Sequence, residues 1–370
     1  MRLSYRTKCR LRSLGILAAI GLMLFIIAWF CSVVFLERYV VYTRDGAMLD
    51  LSISANEIIG EKVTPPSGGT NISIFYNEGD DAINMSDELQ QVDGYYIDIN
   101  ALKTNIAECW DLLEPLNANT PILIDLKGGY GSAYYSSTLP GIITSSEVSV
   151  ASVDELIGYM NEKNFYTIAR ISAFRDYNYG LNHVPAGLMH VNGKGLWPDE
   201  GHCYWLDPTK EMTLEWIASI ITEIKNMGFD EVVLTDFCFP TSDMVRIPNE
   251  PDAALVNAAN WLIQKCGGNK FTISFSVTDH NFALPEGRTR MYLEKVPATN
   301  VGAVANKVGE TVSETPVRLV FMADTNDTRF NTYGVLRPLA VAPAMEAQKA
   351  AAATAPTEAT EATTPSGRYG

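Results

Sequence analysis

The sequence predicts an α/β chain in which parallel strands alternate with helices. Between residues 70 and 340, short β-rich runs recur between helical patterns, and several runs are continuously apolar, as strands covered on both faces are. In chain order the runs are Ile72–Asn77, Tyr95–Asn100, Pro121–Lys127, Tyr166–Ser172, Glu231–Phe237, Phe271–Val277, Met291–Glu294 and Arg318–Asp324. Their number and the length of the body predict a TIM-barrel-like (β/α)8 domain, which takes about 250 residues. Almost no helix fits between Val277 and Met291, so the last third is expected to be irregular and its closure incomplete.

The helices between the runs carry their own signals. Ser152 and Glu155 have the spacing of a capping box. Leu214, Ile217, Ile221, Ile224 and Met227 form an amphipathic stripe that Gly228 ends.

The two ends of the chain differ from this body. Residues 15–36 are uncharged and apolar, and as a helix would span about 33 Å, the thickness of a bilayer core. The run ends in Val34-Phe35-Leu36 before Glu37 and Arg38, without the small residues of a signal-peptide cleavage site. Arg2, Arg6, Lys8, Arg10 and Arg12 precede it with no acid among them, which predicts a cytoplasmic tip over 1–14, a single membrane-spanning anchor and an extracellular body. Residues 37–69 read as stalk and linker, with a hairpin around Arg44-Asp45-Gly46. Residues 341–370, mostly Ala, Thr, Pro and Glu, read as a disordered tail.

With 28 Lys and Arg against 43 Asp and Glu, the net charge of −15 repels phosphate backbones and argues against nucleic acid as a partner. The six cysteines, at 9, 31, 109, 203, 238 and 266, have no metal-ligand spacing, and Cys109 and Cys266 fall in helical patterns, where free buried thiols are expected. His183, His190, His202 and His280 are scattered, so no metal site is expected.

In parallel α/β architectures, working residues stand at the carboxy-terminal ends of strands. Here those ends carry Asp98, Asp125, Asp236, Asp279 and Asp324. Such a ring could supply the paired carboxylates of glycoside cleavage, although a strand-end aspartate also serves to cap the next helix. Arg170 lies inside an apolar strand and needs an acid partner, expected to be one of these aspartates. The long loop from Phe174 to Pro208 holds Tyr177, Tyr179, Trp197, Tyr204 and Trp205, flat side chains suited to sugar faces or to packing over the barrel rim.

Several motifs in order carry a resemblance. They are Asn119 to Asp125 with Lys127, Tyr166 to Ile171 followed by Phe174-Arg175-Asp176, Trp205-Leu206-Asp207-Pro208, Gly228 to Val232, and Phe239-Pro240. Together they resemble the bacterial putative glycosyl hydrolase domain family over about residues 94–280. The resemblance implies a TIM barrel akin to that of α-amylase and related glycosidases. The family's strand ending reads roughly G-F-D-E-I-Q-F-D-Y-x-R-F-P. Aligned on Phe239-Pro240, Thr235 stands where that pattern has its carboxylate, Asp236 replaces the next Tyr, and Cys238 replaces the Arg. The family's V-I-D-x-K-D-D run is reduced to Ile124-Asp125-Leu126-Lys127-Gly128-Gly129.

The resulting expectation is a membrane-anchored glycoside hydrolase acting on envelope or extracellular polysaccharide, without a cofactor. Asp125, Asp236 and Arg170 are its catalytic candidates, and Asp98, Asp176, Trp197, Trp205 and Asp279 its substrate-binding candidates. The rival is a non-catalytic carbohydrate-binding scaffold on the same barrel. An acyl hydrolase ranks below both, since the chain has no G-x-S-x-G.

Overall fold

The computed structural model describes residues 89–347 except 269 and 279, with N-terminal pieces at 22–23, 40–43 and 46–49. The chain divides at Asp81 into two compact units. In the first, β1 (Val40–Thr43) and β2 (Gly46–Leu49) pair antiparallel with Thr43 opposite Gly46, which is the hairpin expected there. The anchor predicted over 15–36, apart from Leu22 and Met23, lies outside the described residues, as do the linker at 64–69 and the strand predicted at Ile72–Asn77. Among the described residues no helix is long and apolar enough to cross a membrane.

The second unit is a closed barrel of eight parallel strands. Its strands are β3 (Asp93–Ile97), β4 (Pro121–Lys127), β7 (Tyr166–Ser172), β8 (Glu231–Thr235), β9 (Thr272–Ser276), β10 (Met291–Glu294), β11 (Leu319–Met322) and β12 (Gly334–Pro338). They follow one another around the barrel in chain order, and β12 closes it by pairing with β3. Two short strands, β5 (Ser132–Ala133) and β6 (Ile143–Thr144), extend the sheet beside β4.

Closure is complete, which corrects the expectation of an open last third. The closing strand is Gly334–Pro338, a segment the hydrophobic pattern had not marked. The irregularity expected there is present in the connections. Among the described residues no helix lies between β9 and β10, and a 3-10 turn at Thr328–Thr332 links β11 to β12.

Helices flank the strands: α1 (Ile99–Thr104), α2 (Ile106–Leu113), α3 (Val150–Glu162), α4 (Tyr177–Asn182), α5 (Glu211–Asn226), α6 (Pro251–Cys266), α7 (Val301–Val308) and α8 (Thr315–Arg318). Ser149 caps α3 by accepting from the amide of Ser152, so that helix starts one turn before the predicted capping box. In α5 the predicted stripe is buried from Leu214 to Ile224, and Gly228 leaves the helix with φ +94°, a conformation that favours glycine. Beyond β12, Leu339, Ala342 and Met345 are buried, so the packed body reaches past position 341.

Alternate residues of each strand serve two separate cores. Leu123, Ile168, Val233, Tyr292, Val320 and Leu336 fill the barrel, while their neighbours Ile122, Ile124, Ala169, Val232, Leu234, Leu293 and Phe321 pack under the helices. Below the apolar layer, Glu231 accepts from Ser274 Oγ (2.6 Å), Tyr292 Oη (2.9 Å), Tyr166 Oη (2.9 Å) and the Arg290 guanidinium. This alternation sends the last inward residues of the strands, above the apolar layer, to the mouth of the barrel. Cys109, Cys203, Cys238 and Cys266 are free thiols, as expected for the two on helices.

Candidate active site

Arg170 stands at the centre of the mouth. It lies on the inner face of β7, two residues beyond Ile168 of the barrel core. Its Nε and Nη2 hold the two oxygens of Asp125 on neighbouring β4 at 2.5 and 3.0 Å. Its Nη1 lies 3.2 Å from Glu294 Oε1 on β10, the strand diametrically opposite β4. Ser276 Oγ donates to the same Glu294 oxygen at 3.2 Å, and Met322 Sδ lies 3.4 Å from Arg170 Nη1. One guanidinium thus joins carboxylates from both sides of the mouth. Burial works against the charge on Arg170, but the hydrogen bonds and charge of Asp125, helped by Glu294 and Asp98, raise its pKa above the ordinary arginine value.

Asp125 is fully engaged. Besides Arg170 it accepts from the backbone amide of Ile99 at 2.9 Å, so three donors aim at its two oxygens, which suits a carboxylate acting only as acceptor. Tyr134 leans over Gly128, where a Cβ would stand 2.3 Å from its hydroxyl. Burial, and then the charge of Asp125, push that phenol up to about 12.

Asp236 reaches the mouth through its backbone conformation. Strand β8 pairs regularly with β7 through Thr235 and with β9 through Leu234, so by alternation with Val233 it is Thr235 that faces inward. Asp236 follows with φ +50°, an uncommon left-handed conformation for a residue with a side chain. Its Oδ2 lies 2.6 Å from the hydroxyl of Ser172, the inward residue two positions after Arg170. That hydroxyl is also 2.8 Å from the Arg175 carbonyl, and its single proton serves one acceptor at a time. Asp125 and Asp236 therefore both engage the inner face of β7, at Arg170 and Ser172. Strand β4, by contrast, shifts register between Asp125 and Lys127.

The other predicted residues separate into groups. Asp98 caps α1, accepting from the Ala101 amide at 2.9 Å, and is half-buried close enough to Arg170 to support its charge. Asp176 is 0 % exposed. It pairs with Lys127 at 3.0 Å, accepts from the Tyr179 amide and Trp216 Nε1, and caps α4. That corrects its place from a substrate contact to a scaffold residue, because no ligand reaches an enclosed carboxylate. Trp205 is 8 % exposed and spends its indole N–H on Asp199 at 3.0 Å, so it is packed in the core and is not an open platform. Trp197 is half-buried against the same core. Asp279 lies outside the described residues.

Glu294, Tyr96 and Tyr134 belong to the site and were not anticipated. Glu294 ends the run Met291–Glu294 as Asp125 nearly ends its own, and a strand-end rule applied to glutamate as well as aspartate would have found it. Tyr96 donates to Asp324 at 2.8 Å, and burial followed by that bond raises its pKa. Volume points elsewhere: grooves of about 500 and 560 Å³ share Leu139, Glu215 and Ser219 on the outer side of α5. The first also holds Glu223 and the Glu215–Lys265 ion pair (3.0 Å), but neither includes a strand-end residue of the barrel. Among the described residues no group of His, Cys, Asp and Glu could hold a metal ion.

The closed parallel barrel agrees with the comparisons. Residues 94–262 match the family described as putative glycosyl hydrolase domain. This is the family that the motifs resemble. Among solved structures, the PgaB (BpsB) glycoside hydrolase domain from Bordetella bronchiseptica aligns with a TM-score of 0.51 at 10 % identity, covering 71 % of this chain and 98 % of that one. The GH36 α-galactosidase AgaA from Geobacillus stearothermophilus aligns at 0.48 and 11 % identity, over 71 % of this chain and 42 % of the enzyme. A hypothetical protein from Ruminiclostridium thermocellum aligns at 0.43 and 20 % identity, over 49 % of this chain and 96 % of that one. At these identities the likeness is one of fold. No curated protein sequence matches the chain.

Proposed function

We propose that the protein is a membrane-anchored glycoside hydrolase acting on polysaccharide of the cell envelope or its surroundings. The observation that carries this reading is the meeting of Asp125 and Glu294 on Arg170 at the mouth of a closed parallel barrel, with Asp236 engaging the same strand. Glycoside hydrolysis adds water across a C–O bond. One carboxyl group protonates the departing oxygen while a carboxylate assists water or attacks the sugar carbon, and no cofactor is needed.

In this reading Asp236 and Glu294 carry the proton transfers. Among the described residues each has one oxygen without a hydrogen-bond partner. Asp125 and Arg170 hold the arrangement, Arg170 joining the two sides of the mouth. Either Asp236→Asn or Glu294→Gln is expected to lower hydrolysis at least about 100-fold with an unchanged melting temperature, assayed by reducing-end release from a polysaccharide panel. If the unaltered protein cleaves nothing on the panel, the hydrolase reading fails. Thr235, facing inward where the family pattern has a carboxylate, favours the second reading, a carbohydrate-binding barrel without turnover. Retention on a polysaccharide that is never cleaved would establish it.

The apolar length of 15–36 and the basic tip before it support the anchor and an extracellular body. Protease added to intact cells should then digest the body and leave a short membrane-bound stub. A body that stays intact until the cells are lysed would place it inside.

A further inference from the structure

Strand β4 leads into the turn Gly128-Gly129-Tyr130-Gly131, closed by a 2.9 Å bond from the Gly131 amide to the Gly128 carbonyl. None of the three glycines could carry a side chain without collision. A Cβ would stand 2.3 Å from Tyr134 Oη at Gly128, 2.7 Å from Arg175 Nη1 at Gly129, and 2.0 Å from Asp176 Oδ1 at Gly131. The first turn of α4 binds the same backbone, with the amides of Tyr177 and Asn178 donating to the carbonyls of Gly129 and Tyr130 at 3.3 Å each. The turn is fixed, and its one large side chain is displayed. Tyr130 is 57 % exposed, the most exposed large apolar side chain among the described residues of the barrel unit, while its hydroxyl donates to the Gly201 carbonyl at 3.0 Å.

Exposure of one aromatic residue is ordinary, but its company here is not. The Arg175 guanidinium lies 6.0 Å from the Tyr130 ring centre, pinned by Asp199 through Nε at 2.6 Å. Gly201, like Gly129, leaves room for it, since a Cβ there would stand 2.7 Å from Nη2. Asp199 is itself fixed by Trp205 Nε1 and the Cys203 amide. Among the described residues the two terminal nitrogens of Arg175 have no acceptor, although its side chain is only 26 % exposed. Tyr177, tilted beside Tyr130 at 6.4 Å, stacks on Tyr204 at 5.3 Å and supports the ring from the side.

We propose that Tyr130 and Arg175 form a sugar-binding subsite on the β4–β7 rim of the mouth, taking one neutral pyranose unit of a polysaccharide. The proposal rests on the carbohydrate reading above. A pyranose has an apolar face that lies on an aromatic ring and a rim of hydroxyls that accept from a planar donor. Asp199 balances the charge of Arg175, and the chain as a whole carries −15, so a polyanion is disfavoured and a neutral glycan fits. Tyr130 follows Asp125 by five residues and Arg175 follows Arg170 by five, so each lies within about 17 Å of the charged centre even along extended chain. A chain with one unit on Tyr130 can therefore reach the carboxylates.

The test is retention of the detergent-solubilised full chain in native gels containing hydroxyethyl cellulose, dextran, glycol chitosan or polygalacturonate, with melting temperature measured alongside. Tyr130→Ala is expected to weaken retention on a neutral polymer about tenfold without changing the melting temperature, and Tyr130→Phe to retain nearly the full affinity. Equal retention of Tyr130→Ala and the unaltered protein would overturn the subsite while leaving the carbohydrate reading in place. Retention on polygalacturonate alone, or on the cationic glycol chitosan alone, would overturn the neutral class. An unaltered protein retained on none of the four would overturn both the carbohydrate reading and the subsite.

Discussion

Replacing Glu231 by Ala is expected to destabilise the body by about 3–5 kcal/mol, the usual effect of leaving a buried charge without its partner. The melting temperature should fall by on the order of 10 °C. Glu231 is completely enclosed at the lower end of the barrel and accepts from Arg290, Tyr166, Tyr292 and Ser274. Arg290 is nearly as enclosed, and its other nitrogens donate to the carbonyls of Gln90 and Val317 at 2.8 and 3.1 Å. Glu231→Gln should also destabilise, because an amide presents two donors where the pocket is built from donors. The paired replacement Glu231→Leu with Arg290→Met removes both charges and should recover much of the loss, since apolar residues of similar size often replace a buried ion pair at little cost. Thermal and urea unfolding measure all three variants. A loss below about 1 kcal/mol in Glu231→Ala would mean that water enters the lower end and solvates Arg290. Below its melting temperature each variant should keep the mouth intact, because the network lies on the face opposite the strand-end carboxylates.

Much of this barrel is legible before folding. Strands β4, β7 and β10 have the predicted boundaries, and the ends of β4 and β10 are marked by turn or charged residues. β12 escaped notice because it begins with glycine, ends with proline, and carries Arg337 at an outward position. Its partner β3 could be seen only in part, since Ile99 and Asn100 continue the β-rich run but fold into α1 once Asp98 caps it.

The site was less legible than the fold. An arginine in an apolar strand implies an acid partner, and Asp125 is that partner. Which strand-end acids reach the mouth depends on facts that spacing does not contain. Asp176 looks like the other acids in sequence, yet it is enclosed because Lys127 leaves the mouth after the irregularity in β4 and pairs with it. Asp236 is one position out of phase with the inward residues of β8, and a single left-handed backbone angle turns it back to Ser172. Trp205 has the composition of a sugar platform and the burial of a core residue, whereas the tyrosine left in the open, Tyr130, stands in a glycine-rich turn of β4.

Arg170→Met is expected to reduce hydrolysis at least about 100-fold on any polysaccharide the unaltered protein cleaves, since small displacements of catalytic groups have effects of that size. It should also destabilise the body by about 2–3 kcal/mol, less than a fully enclosed pair because the Arg170 side chain is 16 % exposed. Met fills the space of the stem but leaves Asp125, Glu294 and their neighbour Asp98 facing one another without the positive charge between them. Arg170→Lys separates the two roles of that charge. An ammonium group restores a cation to the mouth, so stability should largely return. It cannot hold both oxygens of Asp125 and also reach across to Glu294, because that needs the planar fork of a guanidinium. Hydrolysis by the Lys variant should therefore stay low, with the loss in kcat and little change in KM, as expected for a residue that positions other groups and does not itself bind the sugar. If Arg170 only supported the fold, rate and stability would recover together in the Lys variant, and the assignment of Glu294 to the working carboxylates would lose its geometric basis.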